Sequence, residues 1–84
     1  MQTHIPTQNL PALPQFKPGR YRHYKGNEYL LLDVVRHSET LEPMVLYKPL
    51  YEGSSLWVRP AGMWGEYVEV AGAQVQRFAW VAAE

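Results

Sequence analysis

The sequence has no cysteine and no net charge, and each absence excludes a class of protein. Its 84 residues include eight basic and eight acidic side chains. Without thiols there is no disulfide framework and no thiolate chemistry, and a reducing compartment cannot be told from an oxidising one. Without net charge, no overall field draws the chain toward nucleic acid or an anionic membrane, so any such binding must be local.

Long apolar runs are also missing, and none approaches the length of a membrane-spanning helix. The first residues, Met1 to Pro6, have neither the basic region nor the apolar core of a secretory leader. We therefore expect a cytoplasmic protein with no membrane partner. A chain of 84 residues has room for one hydrophobic core, and hence for one domain.

The N-terminal part is rich in proline and lacks hydrophobic periodicity. Pro6, Pro11 and Pro14 restrict it to extended conformations that bury little surface. Pro18-Gly19 marks a boundary, after which aromatic and β-branched residues become frequent. We predict a flexible tail over residues 1–17 and a single small β-barrel domain over residues 18–84.

The domain reads as a series of short strands separated by turn residues. Lys25-Gly26-Asn27 predicts a hairpin turn, and the polar stretch 37–42 a loop. Pro60 ends a strand, and about one helical turn follows over residues 62–67. The predicted strands are 20–24, 28–36, 44–48, 56–59 and 77–81, with a short extra strand at 68–70.

These elements predict a mostly β protein. We expect a small, SH3-like, partly open barrel of about five antiparallel strands, with one short helical turn before the last strand. Curling into a barrel is a common way for a small antiparallel sheet to protect its edges. An α+β roll is the alternative.

Several separated motifs carry a resemblance to a known family. They are the stretch Tyr21 to Tyr29, His37-Ser38-Glu39-Thr40, Leu50-Tyr51, Trp57-Val58-Arg59-Pro60 and Arg77-Phe78. Together they resemble a family of short, mostly bacterial proteins known as domain of unknown function 1653. The resemblance covers the body of the chain from Gly19 to Val81. It implies no activity, substrate or cofactor, and Trp64 stands where this family often has phenylalanine.

A catalytic or metal site is not favoured by the pattern. His37-Ser38-Glu39-Thr40 offers a base, two hydroxyls and a carboxylate, but catalytic partners meet across a fold rather than along four neighbouring residues. Local hydrogen bonds within a loop explain the stretch better. No histidine spacing fits a metal, and we expect no cofactor. A ligand site or small enzyme around His23 and His37 remains an alternative.

A basic stretch offers a second alternative. Arg20, Arg22 and Lys25 lie close together without an acidic residue between them, and tyrosines are interleaved with them. Charge beside stacking faces is the combination that binds single-stranded nucleic acid on small barrels. The zero net charge argues against this function, so nucleic acid is a possible but not a favoured partner.

The favoured function is a binding or accessory module for a peptide or protein, using an aromatic and arginine groove. Two acidic residues in the predicted loop 37–42, Glu39 and Glu42, would select basic partners. The sequence leaves open whether Trp57 and Arg59 face the core or the surface. The predicted ligand-binding residues are Tyr21, His23, His37, Glu39, Tyr51, Trp57, Arg59 and Pro60.

Overall fold

The computed structural model describes residues 10–51 and 53–84, so most of the predicted tail, residues 1–9, lies outside it. In chain order its elements are β1 (Gly19–His23), β2 (Glu28–Arg36), β3 (Pro43–Pro49), β4 (Trp57–Pro60), α1 (Ala61–Trp64), β5 (Tyr67–Val70), β6 (Ala73–Gln76) and β7 (Phe78–Ala82). The expected mostly β composition and the short helical turn after the fourth strand are confirmed. No helix in this part of the chain is long and apolar enough to cross a bilayer.

Five strands form one antiparallel sheet in the order β4-β3-β2-β1-β7. Strands β5 and β6 form a separate two-stranded hairpin. In the described ranges no ladder joins β4 to β7, so the expected partly open architecture is confirmed and hydrogen bonds do not close the sheet into a barrel.

The first hairpin forms where the sequence predicts it. Gly26 adopts a positive φ of 111°, which glycine reaches at no steric cost. The His23 amide donates to the Asn27 carbonyl at 2.8 Å, and the Gly26 amide to the His23 carbonyl at 2.7 Å. The turn thereby sets the register that pairs Tyr21 with Tyr29.

The hairpin of β5 and β6 was only half predicted. Its second strand, Ala73–Gln76, contains only one β-branched residue, Val75, beside alanine and two glutamines, so it carries a weak strand signal. Ala71 and Gly72 both have positive φ, at 52° and 85°, which is the backbone of a tight two-residue hairpin turn. Only Gly72 gave a turn signal in the sequence.

A bulge in β2 keeps the core on one face of the sheet. The register between β2 and β3 shifts between Leu31 and Asp33, so that Leu32 is an extra residue with its side chain exposed. Leu31 and Val34 would otherwise lie on opposite faces, because side chains alternate along a strand. Both instead contact the same core. The buried core residues are Tyr21, Leu31, Val45, Ala61, Trp64 and Phe78.

The chain just before β1 also touches this core. Phe16 is partly buried against it, and the Tyr21 hydroxyl donates to the Lys17 carbonyl at 2.6 Å. The division into a tail and a domain at residues 17 and 18 stays a prediction.

Candidate binding surface

Side chains, rather than a hydrogen-bonded ladder, connect the two edge strands of the sheet. Pro60 ends β4, and α1 follows at once and places Trp64 on Phe78 of β7. The two rings stack with centroids 4.0 Å apart and an interplanar angle of 2°. The guanidinium carbon of Arg59 lies 5.2 Å from the centre of the Phe78 ring. We call the region formed by Arg59, Trp64 and Phe78, with His23 beside them, the edge opening.

Trp64 forms the floor of the edge opening. It is 1% exposed, and its ring also contacts Tyr21 and Tyr47 at centroid distances of 5.3 Å and 5.2 Å. Its indole Nε1 is buried and has no hydrogen-bond partner in the described part of the chain. A buried donor without an acceptor costs free energy, so the floor is tightly packed but leaves one hydrogen-bond donor without an acceptor.

Strand register places Arg59 on the inner face of the curled sheet. Its partner across the ladder is Val45, which is fully buried in the core. Arg59 is half-buried and takes part in none of the ion pairs among residues 10–51 and 53–84. A guanidinium has five N–H donors and no acceptor. The donors of Arg59 therefore lie at the edge opening, on a strand whose backbone is held against the core.

His23 lies at the edge of the Phe78 ring, with ring centroids 4.9 Å apart at 73°. Its Nδ1 accepts a hydrogen bond from the Lys25 amide at 3.2 Å, which leaves Nε2 to carry the proton of the neutral ring. Burial lowers the pKa of His23 below its ordinary value of 6.5, and the positive charges of Arg59, Arg77 and Lys25 lower it further. The edge opening is therefore a positively charged environment.

One carboxylate reduces this positive charge. Glu66 binds the Nε of Arg77 at 2.7 Å, and the Arg77 amide donates to the Glu66 carbonyl at 3.0 Å. These two bonds close the base of the hairpin formed by β5 and β6. Arg77 is paired, so among the residues that the structure describes Arg59 and Lys25 are the cations near His23 that take part in no ion pair.

Trp57 and Tyr51 are surface residues at the same end of the sheet. Trp57 is 55% exposed and pairs with Tyr47 across the ladder, while Tyr51 is 61% exposed just after β3. Pro60 is half-buried and pairs with Met44 at the opposite end of β4. The question that the sequence left open is thus answered residue by residue: Trp57 and Arg59 lie on the same face of β4, where Trp57 is mostly exposed and Arg59 is half-buried.

Tyr21 is not brought to this surface. It is 6% exposed and belongs to the core, and burial raises its pKa above the ordinary value of 10.0. Its hydroxyl is satisfied by the Lys17 carbonyl. Tyr21 therefore contributes to the binding surface only by supporting the ring of Trp64.

The structure does not bring His23 and His37 together. His23 ends β1 beside the start of β2, whereas His37 follows the end of β2, and a nine-residue strand is about 30 Å long. The His37 Nδ1 accepts hydrogen bonds from the Glu39 and Thr40 amides at 3.1 Å and 3.2 Å. These bonds match the local loop interpretation. Glu39 is exposed there, far from Trp57.

The basic stretch is partly neutralised by cross-strand pairing. Glu28 accepts from Arg20 at 2.9 Å through one carboxylate oxygen and from Arg22 at 2.7 Å through the other. Both arginines lower the pKa of Glu28 below its ordinary value of 4.5. Lys25 keeps its charge near the ring of Tyr24, 5.8 Å from the ring centre. The predicted nucleic-acid face therefore carries less positive charge than the sequence suggests.

Sequence reasoning missed Phe78, Tyr47 and Arg77 as members of this surface. Tyr47 lies on β3, whereas Phe78 begins β7 and Arg77 directly precedes it. The two parts meet only through the curl of the sheet, so no local spacing marks them together. The pair of Arg22 with Glu28 does not follow from the predicted turn, because a three-residue turn at 25–27 would place Tyr24 opposite Glu28. The observed turn begins one residue earlier, so that the His23 amide bonds to the Asn27 carbonyl and Arg22 pairs with Glu28.

Comparison with known proteins adds a family but no activity. The model of the family described as "Protein of unknown function (DUF1653)" matches residues 19–80. The crystal structure of a DUF1653 protein from Bordetella bronchiseptica is similar, with a TM-score of 0.74 and 40% sequence identity. The similarity covers 83% of this chain and 92% of that one. No curated protein matches the chain.

Proposed function

Since this chain belongs to the DUF1653 family of unknown function, we propose its role from its own surface: a peptide-binding module in which an extended partner pairs with the edge of β4. The observation that carries this proposal is a run of three exposed apolar side chains leading along that edge. Leu56 is 55% exposed, Trp57 55% and Val58 51%. These side chains alternate between the two faces of the edge strand, so apolar area is exposed on both sides of the edge, where a partner could cover it.

The backbone of β4 supports strand addition. This strand is the last in the order β4-β3-β2-β1-β7, so among the described residues one of its sides pairs with no strand. Unpaired N–H and C=O groups on a sheet edge bind extended peptides through main-chain hydrogen bonds. Alternate side chains of such a peptide would lie beside Trp57 and Arg59 on the inner face and beside Val58 on the outer face.

Charge specifies the partner. The inner face beside β4 carries Arg59, with Lys25 and the imidazole of His23 near it, whereas Glu39 lies at the other end of the sheet. An acidic peptide complements this environment, and a basic peptide is repelled by it. The partner preference expected from the loop sequence is therefore reversed in this proposal.

Two finer expectations belong to the same proposal. Small SH3-like barrels bind peptides in shallow grooves between loops, and the curled sheet provides a comparable surface. This likeness is an analogy of fold and not of function. The expected cytoplasmic location is tested by fractionating cells that express a tagged chain from its own promoter.

Selection from a random 12-residue peptide library displayed on phage tests the function. The expected result is a set of extended, acidic and apolar peptides, whose affinity falls about tenfold or more in Trp57→Ala. Tyr67→Ala is the matched control, since Tyr67 is an equally exposed aromatic residue, 59% exposed, on a different sheet. Alternate N–H groups of an extended peptide point to opposite sides of its backbone, so two peptides N-methylated at odd or at even positions each block one side. Only the peptide methylated on the side that pairs with β4 should lose binding.

Three results would contradict the proposal. They are selection of no peptide above background, equal affinity of Trp57→Ala and wild type, and binding that tolerates both sets of N-methylation. A concentration-dependent dimer in sedimentation, lost in Trp57→Ala, would instead assign the edge to a second copy of this chain.

A further inference from the structure

The edge opening contains two hydrogen-bond donors, Arg59 and His23, for which an apolar peptide has no side-chain acceptor. Arg59 lies over the Phe78 ring and His23 at its edge, at 5.2 Å and 4.9 Å from the ring centre. Both side chains therefore converge on Phe78 of β7: His23 comes from the neighbouring strand β1, and Arg59 comes from β4, at the opposite edge of the curled sheet. Two donors of this kind on an apolar floor form a setting in which an anion is held strongly.

We propose that the edge opening binds a carboxylate group, with Arg59 as the charged donor and His23 as the second donor. This inference rests on the proposed function, because the carboxylate belongs to the acidic peptide that pairs with β4. The guanidinium of Arg59 fits a carboxylate better than a lysine ammonium would, since its planar group can donate two parallel hydrogen bonds.

The position of Arg59 makes it a specificity-determining residue. Its backbone is fixed by the pairing with Val45, which directs the side chain toward the inner face of the sheet. The residue two positions earlier on the same face is Trp57, which contacts the neighbouring peptide side chain in the proposed mode. One strand thus offers an apolar contact and a carboxylate contact at consecutive inward positions.

The charges around His23 set the direction of the pH dependence. Lys25 faces it from the turn after β1, Arg59 from β4, and Arg77, paired with Glu66, from the start of β7. A bound carboxylate favours the protonated ring and so raises the pKa of His23. Affinity must then rise as the pH falls from 7.5 toward 5.5, by up to about tenfold for each unit by which the pKa of the bound state is raised.

Titration of the full chain with three small probes, followed by NMR, tests the carboxylate site directly. N-acetylglutamate amide carries a side-chain carboxylate, N-acetylalanine a C-terminal carboxylate, and N-acetylglutamine amide no charge. The expected result is a saturable shift of the Arg59 Nε–H signal with a dissociation constant of the order of millimolar. The first two probes distinguish an internal acidic residue from a chain terminus as the source of the carboxylate.

Substitutions separate this site from the general charge of the protein. Arg59→Gln should weaken binding of the charged probes roughly tenfold or more. His23→Gln should keep part of the affinity and abolish its rise at low pH. Arg22→Gln is the matched control, because it removes the same charge from the opposite face of β1 and should leave the affinity unchanged.

The outcomes keep the two proposals apart. Absence of a saturable shift up to about 100 mM, a range far above millimolar affinity, would overturn the carboxylate site. Equal shifts with the neutral probe, or equal losses in Arg59→Gln and Arg22→Gln, would overturn it as well. Loss of peptide selection alone, with the carboxylate shifts intact, would overturn strand addition and leave the site standing.

Discussion

The buried indole nitrogen of Trp64 leads to a prediction about two substitutions at one position. Trp64 is 1% exposed and stacks on Phe78, so truncation to alanine removes a large ring from the centre of the core. Trp64→Ala should lower the free energy of unfolding by about 3–5 kcal/mol, as other buried aromatic residues do. Because small domains are only marginally stable, this variant should be largely unfolded at room temperature.

Trp64→Phe should behave very differently. It keeps a ring against Phe78 but loses two ring carbons besides Nε1, and the loss of these carbons costs roughly 1.6 kcal/mol at about 0.8 kcal/mol per buried carbon. It also removes the Nε1 donor, which has no partner in the described part of the chain and costs about 1–3 kcal/mol in the native state. The two effects nearly cancel, so Trp64→Phe should lie within about 1 kcal/mol of wild type.

Urea unfolding followed by far-ultraviolet circular dichroism measures both variants without relying on tryptophan fluorescence. Trp80→Phe is the control, since the Nε1 of Trp80 donates to the Pro18 carbonyl at 3.2 Å and Trp80 is 40% exposed. It should lose about 0.5–1.5 kcal/mol, the value of one satisfied hydrogen bond. A loss of about 3 kcal/mol or more in Trp64→Phe would refute the reasoning, because it would mean that Nε1 is hydrogen-bonded in solution.

Two further predictions concern the segment before β1 and the β1–β2 pair. Phe16→Ala should lower the free energy of unfolding in urea by about 1–3 kcal/mol, which is less than the loss for a fully buried ring. Gln15→Ala, at the exposed neighbouring residue, is the control and should leave the free energy of unfolding unchanged. Equal stability of the two variants would support a flexible tail up to residue 17. Glu28 has a lower pKa in the folded chain than its ordinary value of 4.5, so its ionised carboxylate stabilises the fold at pH values above 4.5. This stabilisation is lost as the pH falls through the pKa of the folded state. The wild-type melting temperature should therefore fall more steeply below about pH 4.5 than that of Glu28→Gln, and parallel curves would count against the ion pairs.

Local signals in the sequence account for most of the strands. The turn at Gly26, the apolar run in β2 and the stop at Pro60 each act through the backbone of a few neighbouring residues, so they can be read without knowledge of the fold. Strand β6, Ala73–Gln76, has a weak intrinsic β preference. It forms by pairing with β5, where its Val75 lies opposite Val68. Pairing of this kind is not visible in a single strand.

The candidate site was predictable only in part for a related reason. Trp57 and Arg59 are conspicuous residues on one short strand, and the sequence singled them out. Their different exposure depends on which residues face them, since the partner of Trp57 is the half-buried Tyr47 and that of Arg59 is the buried Val45. Tyr21 was equally conspicuous but lies in the core. The chemistry of a residue can be read from the sequence, but its accessibility depends on strand register and curl.

The shortness of β4 has a consequence for how the protein behaves at high concentration. An exposed apolar edge strand invites identical chains to pair with it and to aggregate. Here the strand has only four residues, and the last of them, Pro60, has no N–H to offer. A second copy could form few backbone hydrogen bonds there, and two such edges would bring two copies of Arg59 together. In the proposed binding mode, an acidic partner adds contacts to Arg59 that a second copy of the chain lacks. We therefore expect the short edge to favour such a partner over polymerisation of the protein.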